Sequence, residues 1–170
     1  GDPILFGRAD EELRALEAAG ISVAVAPGIP PALSAAAACR QPLPRRGISR
    51  SVAFFTSRTD PAELDATTIP SADTLVQYMG GREAMNTARK LLAAGMPAAT
   101  PVVVVENCSR IDEHILRLSL GELESGLGAA GGPVLVMIGA ALAERSSAVL
   151  TSKADAEPHS GIGEPSQHVA

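Results

Sequence analysis

Aromatic side chains are nearly missing from this sequence. Its 170 residues include three Phe, one Tyr and no Trp: Phe6, Phe54, Phe55 and Tyr78. Stacking platforms for single-stranded nucleic acid need rows of such rings, so the scarcity argues against that class of binder. Cysteine is equally sparse. Cys39 and Cys108 are too few for a disulfide framework or, alone, for a four-ligand zinc site. Both read as reduced thiols, and the expected location is cytoplasmic. No apolar run approaches the roughly 20 residues that span a bilayer, and no secretory leader is recognisable, so no membrane partner is expected. Excess positive charge is lacking too. Fourteen Lys and Arg against 19 Asp and Glu leave a net charge of −5, which argues against a dedicated nucleic-acid partner. GxGxxG, Walker A and GxSxG motifs are absent. His114, His159 and His168 do not cluster with Cys at ligand spacing, so no metal site is expected.

What is present is an alternation of helices and apolar strands. Asp10 as N-cap, Glu11 and Glu12 in the first turn and Gly20 as stop predict a first helix, with Leu13 and Leu16 on its buried face. Ser22 to Ala26 reads as a buried strand entering a turn at Pro27-Gly28. A helix follows from Pro30-Pro31 to Cys39, since proline is tolerated in a first helical turn. Strands are expected over Ser51–Ser57 and Thr74–Met79, with a loop and one turn of helix between them over 58–72. A helix is expected over Arg82–Ala94, with Met85, Ala88, Leu91 and Leu92 on one face and Gly95 as its stop. Pro101–Val105 is apolar on both faces and predicts a central strand. His114–Leu120 reads as an edge strand, Leu120–Leu127 as a short helix and Pro133–Ile138 as another buried strand. Glu122 and Glu124 read as solvated helix charges. The fold class is α/β. From Ser146 the composition turns polar, and 146–170 reads as a disordered tail.

Charge and backbone punctuation point to chemistry. Between Ile21 and Thr59 there is no Asp or Glu, yet Arg40, Arg45, Arg46, Arg50 and Arg58 stand there. Arginine suits bidentate capture of carboxylate or phosphate, so an anionic ligand is one reading; a solvated surface stretch is the other. Gly1-Asp2-Pro3, Pro27-Gly28, Gly80-Gly81 and the turn after Asn107 each border a predicted strand. In open α/β sheets small ligands sit beyond the carboxyl ends of strands; ordinary turn chemistry explains the same residues.

Five segments in order carry a resemblance: Gly1-Asp2-Pro3-Ile4-Leu5-Phe6-Gly7-Arg8, Val25-Ala26-Pro27-Gly28-Ile29, Tyr78-Met79-Gly80, Gly95-Met96-Pro97 and Pro101 to Asn107. Over residues 1–145 the chain resembles the tetrapyrrole methylases, and within them the uroporphyrinogen-III C-methyltransferase branch. The resemblance implies a mixed β-sheet flanked by helices, the second domain of a two-domain enzyme that is usually a homodimer. It implies S-adenosylmethionine as cofactor and a tetrapyrrole substrate, uroporphyrinogen-III, methylated to precorrin-2 on the route to sirohaem and cobalamin. Residue by residue it implies cofactor contacts at Gly1, Asp2, Leu5, Pro30, Pro31, Met79 and Cys108. Arg46 matches a family arginine, and with Arg45 and Arg58 it would face the substrate carboxylates.

The chain departs from the family at Pro30-Pro31, where Thr-Ala is usual, and at Pro44-Arg45 and Ser57-Arg58. It also begins within a loop motif, Gly1-Asp2-Pro3, so it is expected to be part of a longer chain, and no catalytic residue is assigned. Two readings follow. One is the C-terminal part of such a methyltransferase. The other is a remnant that binds ligand or dimerises without transferring methyl groups.

Overall fold

The computed structural model describes residues 1–57, 68–128 and 131–144. Arg58, the predicted loop turn before residue 68 and the predicted tail therefore lie outside the described residues.

The elements in chain order are α1 (Ala9–Ala18), α2 (Pro31–Ala38), β1 (Val52–Thr56), β2 (Thr74–Tyr78), α3 (Ala84–Ala93), β3 (Pro101–Glu106), β4 (His114–Ser119), α4 (Leu120–Leu123) and β5 (Val134–Gly139), followed by a 3₁₀ turn at Ala140–Leu142. The strands form one sheet in the order β1-β2-β5-β3-β4. Only β1 and β2 run parallel; the other pairs are antiparallel. The sheet is thus mixed, as expected.

Period-two alternation sorts the strand residues onto two cores. Leu75, Val102, Val104, Val134, Val136 and Ile138 face α3 and α4, where Ala84, Ala88, Leu91, Leu120 and Leu123 complete one cluster. Val76, Tyr78, Val103, Val105, Leu135 and Met137 face α2, whose Ala32, Ala35 and Ala36 bring its backbone close to the sheet. Both faces of β3 and β5 are covered, and their interior residues are buried, which is why each reads as a continuous apolar run. β4 sits at the edge, as its alternation predicts.

Three local expectations are corrected. Ser22–Ala26 forms no strand: no residue of 21–30 lies in an element, and Ile21, Val23 and Val25 are exposed. Apolar alternation marks a strand only where a partner supplies the ladder, and none does so among the described residues. Asp10 is not the N-cap of α1. Arg8 holds that place in a left-handed conformation (φ 61°), and Asp10 pairs with Arg14 one turn on, 3.0 Å apart. Met85 is exposed, and Thr87 takes its expected place on the buried face of α3. In addition, Glu122 is more than a solvated charge. Its carboxylate accepts the Ser119 backbone N–H at 2.7 Å while the Ser119 hydroxyl accepts the Glu122 N–H at 3.3 Å, a reciprocal cap on α4.

Candidate functional site

At the carboxyl end of β2 the chain turns sharply. Met79 takes a left-handed backbone (φ 55°), and its side chain is left exposed beside the buried Tyr78. Positive φ at a non-glycine residue is costly and tends to collect at ligand-binding loops. Gly80 follows because its N–H must reach the Val134 carbonyl (3.1 Å); a Cβ there would lie 2.8 Å from Val136 Cγ2.

Two loops lean over this turn. The Asp2 carboxylate fastens them together: Oδ1 accepts the Ile4 N–H and Oδ2 the Gly28 N–H, each at 2.9 Å. These backbone donors hold the Asp2 carboxyl below its ordinary value, the Gly28 bond most of all. Gly28 must be glycine, since a Cβ would collide with the Gly1 carbonyl. The GDP and PGI segments are therefore two halves of one clasp.

Between the clasp and the β2 turn lies a cavity of about 370 Å³, lined by Gly1, Asp2, Pro3, Leu5, Phe6, Gly7, Pro31, Tyr78 and Met79. Five of the seven expected cofactor residues thus meet in one place. Pro30, the extended N-cap of α2, adjoins Pro31. Cys108 follows β3 and packs on the same core cluster as Leu5. Its neighbours Asn107 and Ser109 have positive φ (52° and 66°), but Cys108 does not, so a side chain is accommodated there without strain. Burial pushes its thiol pKa up, which keeps it protonated and a poor nucleophile.

The proline pair reshapes one wall. A helix N-terminus normally offers free N–H groups to an anion. In α2, Pro30 and Pro31 have no N–H, and the Ala32 N–H donates to the Tyr78 hydroxyl at 3.2 Å. That end of α2 is closed to ligands. Both oxygens of Asp2 are engaged by backbone, and the Tyr78 hydroxyl, its pKa raised by burial, is engaged by Ala32. The cavity's lining is therefore built to bind and orient a ligand. An apolar wall of Leu5, Phe6 and Met79 with loop backbone around it suits a nucleoside bearing a thioether or sulfonium.

The expected substrate arginines lie elsewhere. Arg45 and Arg46 sit on a small hairpin closed by reciprocal backbone bonds between Arg45 and Ser49. The hairpin is fastened to the start of β2, where Thr74 donates to the Leu43 carbonyl at 2.9 Å. From Thr74 to Met79 is roughly 16 Å of strand. Neither arginine enters an ion pair among the described residues. A larger cavity, about 590 Å³, opens between α3 and residues 69–72 on the opposite face of the sheet, and it contains none of the expected site residues. Pro3, Phe6, Gly7 and Tyr78 escaped the sequence reading of the site, although each stands inside a quoted motif.

The model of the family described as Tetrapyrrole (Corrin/Porphyrin) Methylases matches residues 1–124. The chain belongs to this family. A siroheme synthase of Serratia proteamaculans is 38% identical over 148 residues, covering 86% of this chain and 32% of that protein. A siroheme synthase of Yersinia pestis is 39% identical over 142 residues, covering 82% of this chain and 30% of that protein. The chain thus spans about a third of the length of the curated relatives it matches. Among solved structures, a uroporphyrin-III C-methyl transferase of Thermus thermophilus complexed with S-adenyl homocysteine superposes with a TM-score of 0.72 at 29% identity, covering 83% of this chain and 63% of that one. A cobalt precorrin-4 methyltransferase shares the fold, with a TM-score of 0.71 at 22% identity. As a tetrapyrrole methylase, the chain has the family's mixed sheet and helices.

Proposed function

We propose that this tetrapyrrole methylase chain carries part of the cofactor site of an S-adenosylmethionine-dependent C-methyltransferase acting on uroporphyrinogen-III to give precorrin-2, within a longer protein that works as a homodimer. One observation carries this reading: the clasp and the β2 turn gather Gly1, Asp2, Leu5, Pro31 and Met79 around one cavity. The Thermus neighbour complexed with S-adenyl homocysteine supports it.

S-adenosylmethionine supplies an electrophilic methyl group when bound. The protein's own contribution is positioning, which lowers the entropic part of the barrier. Met79 and Leu5 provide apolar contact, and backbone from Gly1 to Pro3 forms the floor. In this reading Cys108, after β3, meets the cofactor beyond the cavity's own lining, and Pro30 and Pro31 shape the wall of α2. Arg45 and Arg46, a strand length from Met79, would serve peripheral carboxylates of the macrocycle rather than the ring that receives the methyl group. Arg58 joins them in this reading.

The test is calorimetric titration of the 170-residue chain with S-adenosylhomocysteine, alongside Met79→Ala. Micromolar binding by the wild type, weakened about tenfold or more in a folded Met79→Ala variant, is expected for loss of a buried apolar contact of about 1.4 kcal/mol or more. Equal binding by both would remove Met79 from the site. No binding by a folded wild type would overturn this cofactor assignment for the chain.

A further inference from the structure

Three of the four aromatic side chains, drawn from segments far apart in sequence, meet at one spot. The Phe6 and Tyr78 rings are 4.9 Å apart with a 52° tilt, and Phe54 meets Tyr78 edge-on at 6.1 Å. Tyr78 is the buried member, and its hydroxyl accepts the Ala32 N–H at the N-terminus of α2. Phe6 and Phe54 remain 42% and 37% exposed. In so aromatic-poor a chain, leaving two Phe rings open to water beside an exposed Met79 invites a ligand with an apolar face.

Sheet order separates the two ends of this surface. The expected cofactor contacts at the strand ends run from Met79 after β2 to Cys108 after β3, with β5 between. Phe54 lies on the other side of Tyr78, on the edge strand β1. It points to the α2 side of the sheet, the side of Val76 and Tyr78, because its neighbour Phe55 belongs to the opposite core. A cofactor occupying the Met79–Cys108 span therefore leaves Phe54 free, while Phe6 stands at the border, lining the cavity on one side and reaching Tyr78 on the other.

We infer that Phe54, with Phe6, forms a shelf that takes the face of the methyl acceptor's pyrrole ring, making Phe54 a specificity-determining residue. The inference rests on the tetrapyrrole reading above and adds the place where the acceptor lies. Tyr78 supports both rings from below. The acceptor's ring then rests beside Met79, next to the cavity assigned to the methyl donor.

The experiment titrates the 170-residue chain with uroporphyrin, a stable porphyrin bearing the same eight carboxylates as the reduced substrate, followed by quenching of its fluorescence. Wild type, Phe54→Ala, Phe54→Leu and Phe54→Tyr are compared, each checked for folding by circular dichroism, and S-adenosylhomocysteine is titrated in parallel. Aromatic contacts of about 0.5–1.5 kcal/mol correspond to roughly two- to tenfold in affinity. Uroporphyrin binding is expected to fall by that factor or more in Phe54→Ala, to be intermediate in Phe54→Leu and to be kept in Phe54→Tyr, with S-adenosylhomocysteine affinity unchanged. Wild-type and Phe54→Ala proteins that bind uroporphyrin equally would overturn the shelf alone. A loss confined to S-adenosylhomocysteine would assign the shelf to adenine and also overturn it. No uroporphyrin binding by any folded variant would overturn the shelf together with the tetrapyrrole reading.

Discussion

Asp2 shows how a charged motif residue can be architectural. Its carboxylate touches backbone at Ile4 and Gly28, so its charge serves to join two loops. The folded carboxyl titrates below its ordinary value of 3.8. A carboxylate with a lowered folded pKa stabilises the native state above its unfolded pKa, and that contribution is lost as pH falls through the folded pKa. The thermal midpoint of Asp2→Ala is therefore expected below that of the wild type at neutral pH. The gap should narrow as pH drops below the ordinary carboxylate range, and unfolding curves recorded across that range check it. A gap independent of pH would mean that the clasp does not depend on the charge.

At the scale of elements, α4 is a sensitive case. It has one turn, and four residues cannot sustain a helix by propensity alone. Its reciprocal cap therefore matters more than it would in a long helix. Ser119→Ala is expected to cost about 0.5–2 kcal/mol, read from urea unfolding midpoints at unchanged slope. The sequence predicts a short helix here but reads Glu122 as a solvated charge, because the Ser-x-x-Glu spacing shows a reciprocal cap only once the helix start is fixed at Ser119. The strands β3 and β5 were legible because both their faces are apolar. Ser22–Ala26 shows the limit of that logic, since local alternation cannot say whether a ladder partner exists. The site was legible only through motif order. Its lining is backbone, proline and apolar side chains, which carry no chemical signature of their own. The sequence places Phe54 in a strand without assigning it a role, because its exposure depends on β1 lying at the sheet edge.

Considered whole, the molecule is unevenly buried. Its two cores enclose the sheet, while residues 1–30 contribute only one buried residue, Ala9. Ile4, Ile21, Val23, Val25 and Ile29 are all exposed in that stretch. An apolar strand-like segment without a pairing partner is prone to self-association. Val23→Asp is expected to raise the concentration at which the chain stays monodisperse, without lowering its thermal midpoint. Light scattering and a thermal melt measure the two. A lowered midpoint would show that Val23 contributes to the fold after all.

The position of β5 has a consequence for the order of events during synthesis. It is the last strand among the described residues, yet it sits in the middle of the sheet and bonds to both β2 and β3. Until Val134–Gly139 has left the ribosome, β1-β2 and β3-β4 are two separate ribbons with no hydrogen bonds between them. Two-stranded ribbons are marginal alone, so the sheet closes late and in one step. The nascent chain must keep the apolar edges of both ribbons apart until β5 arrives, and any message cut short before it yields two unjoined halves.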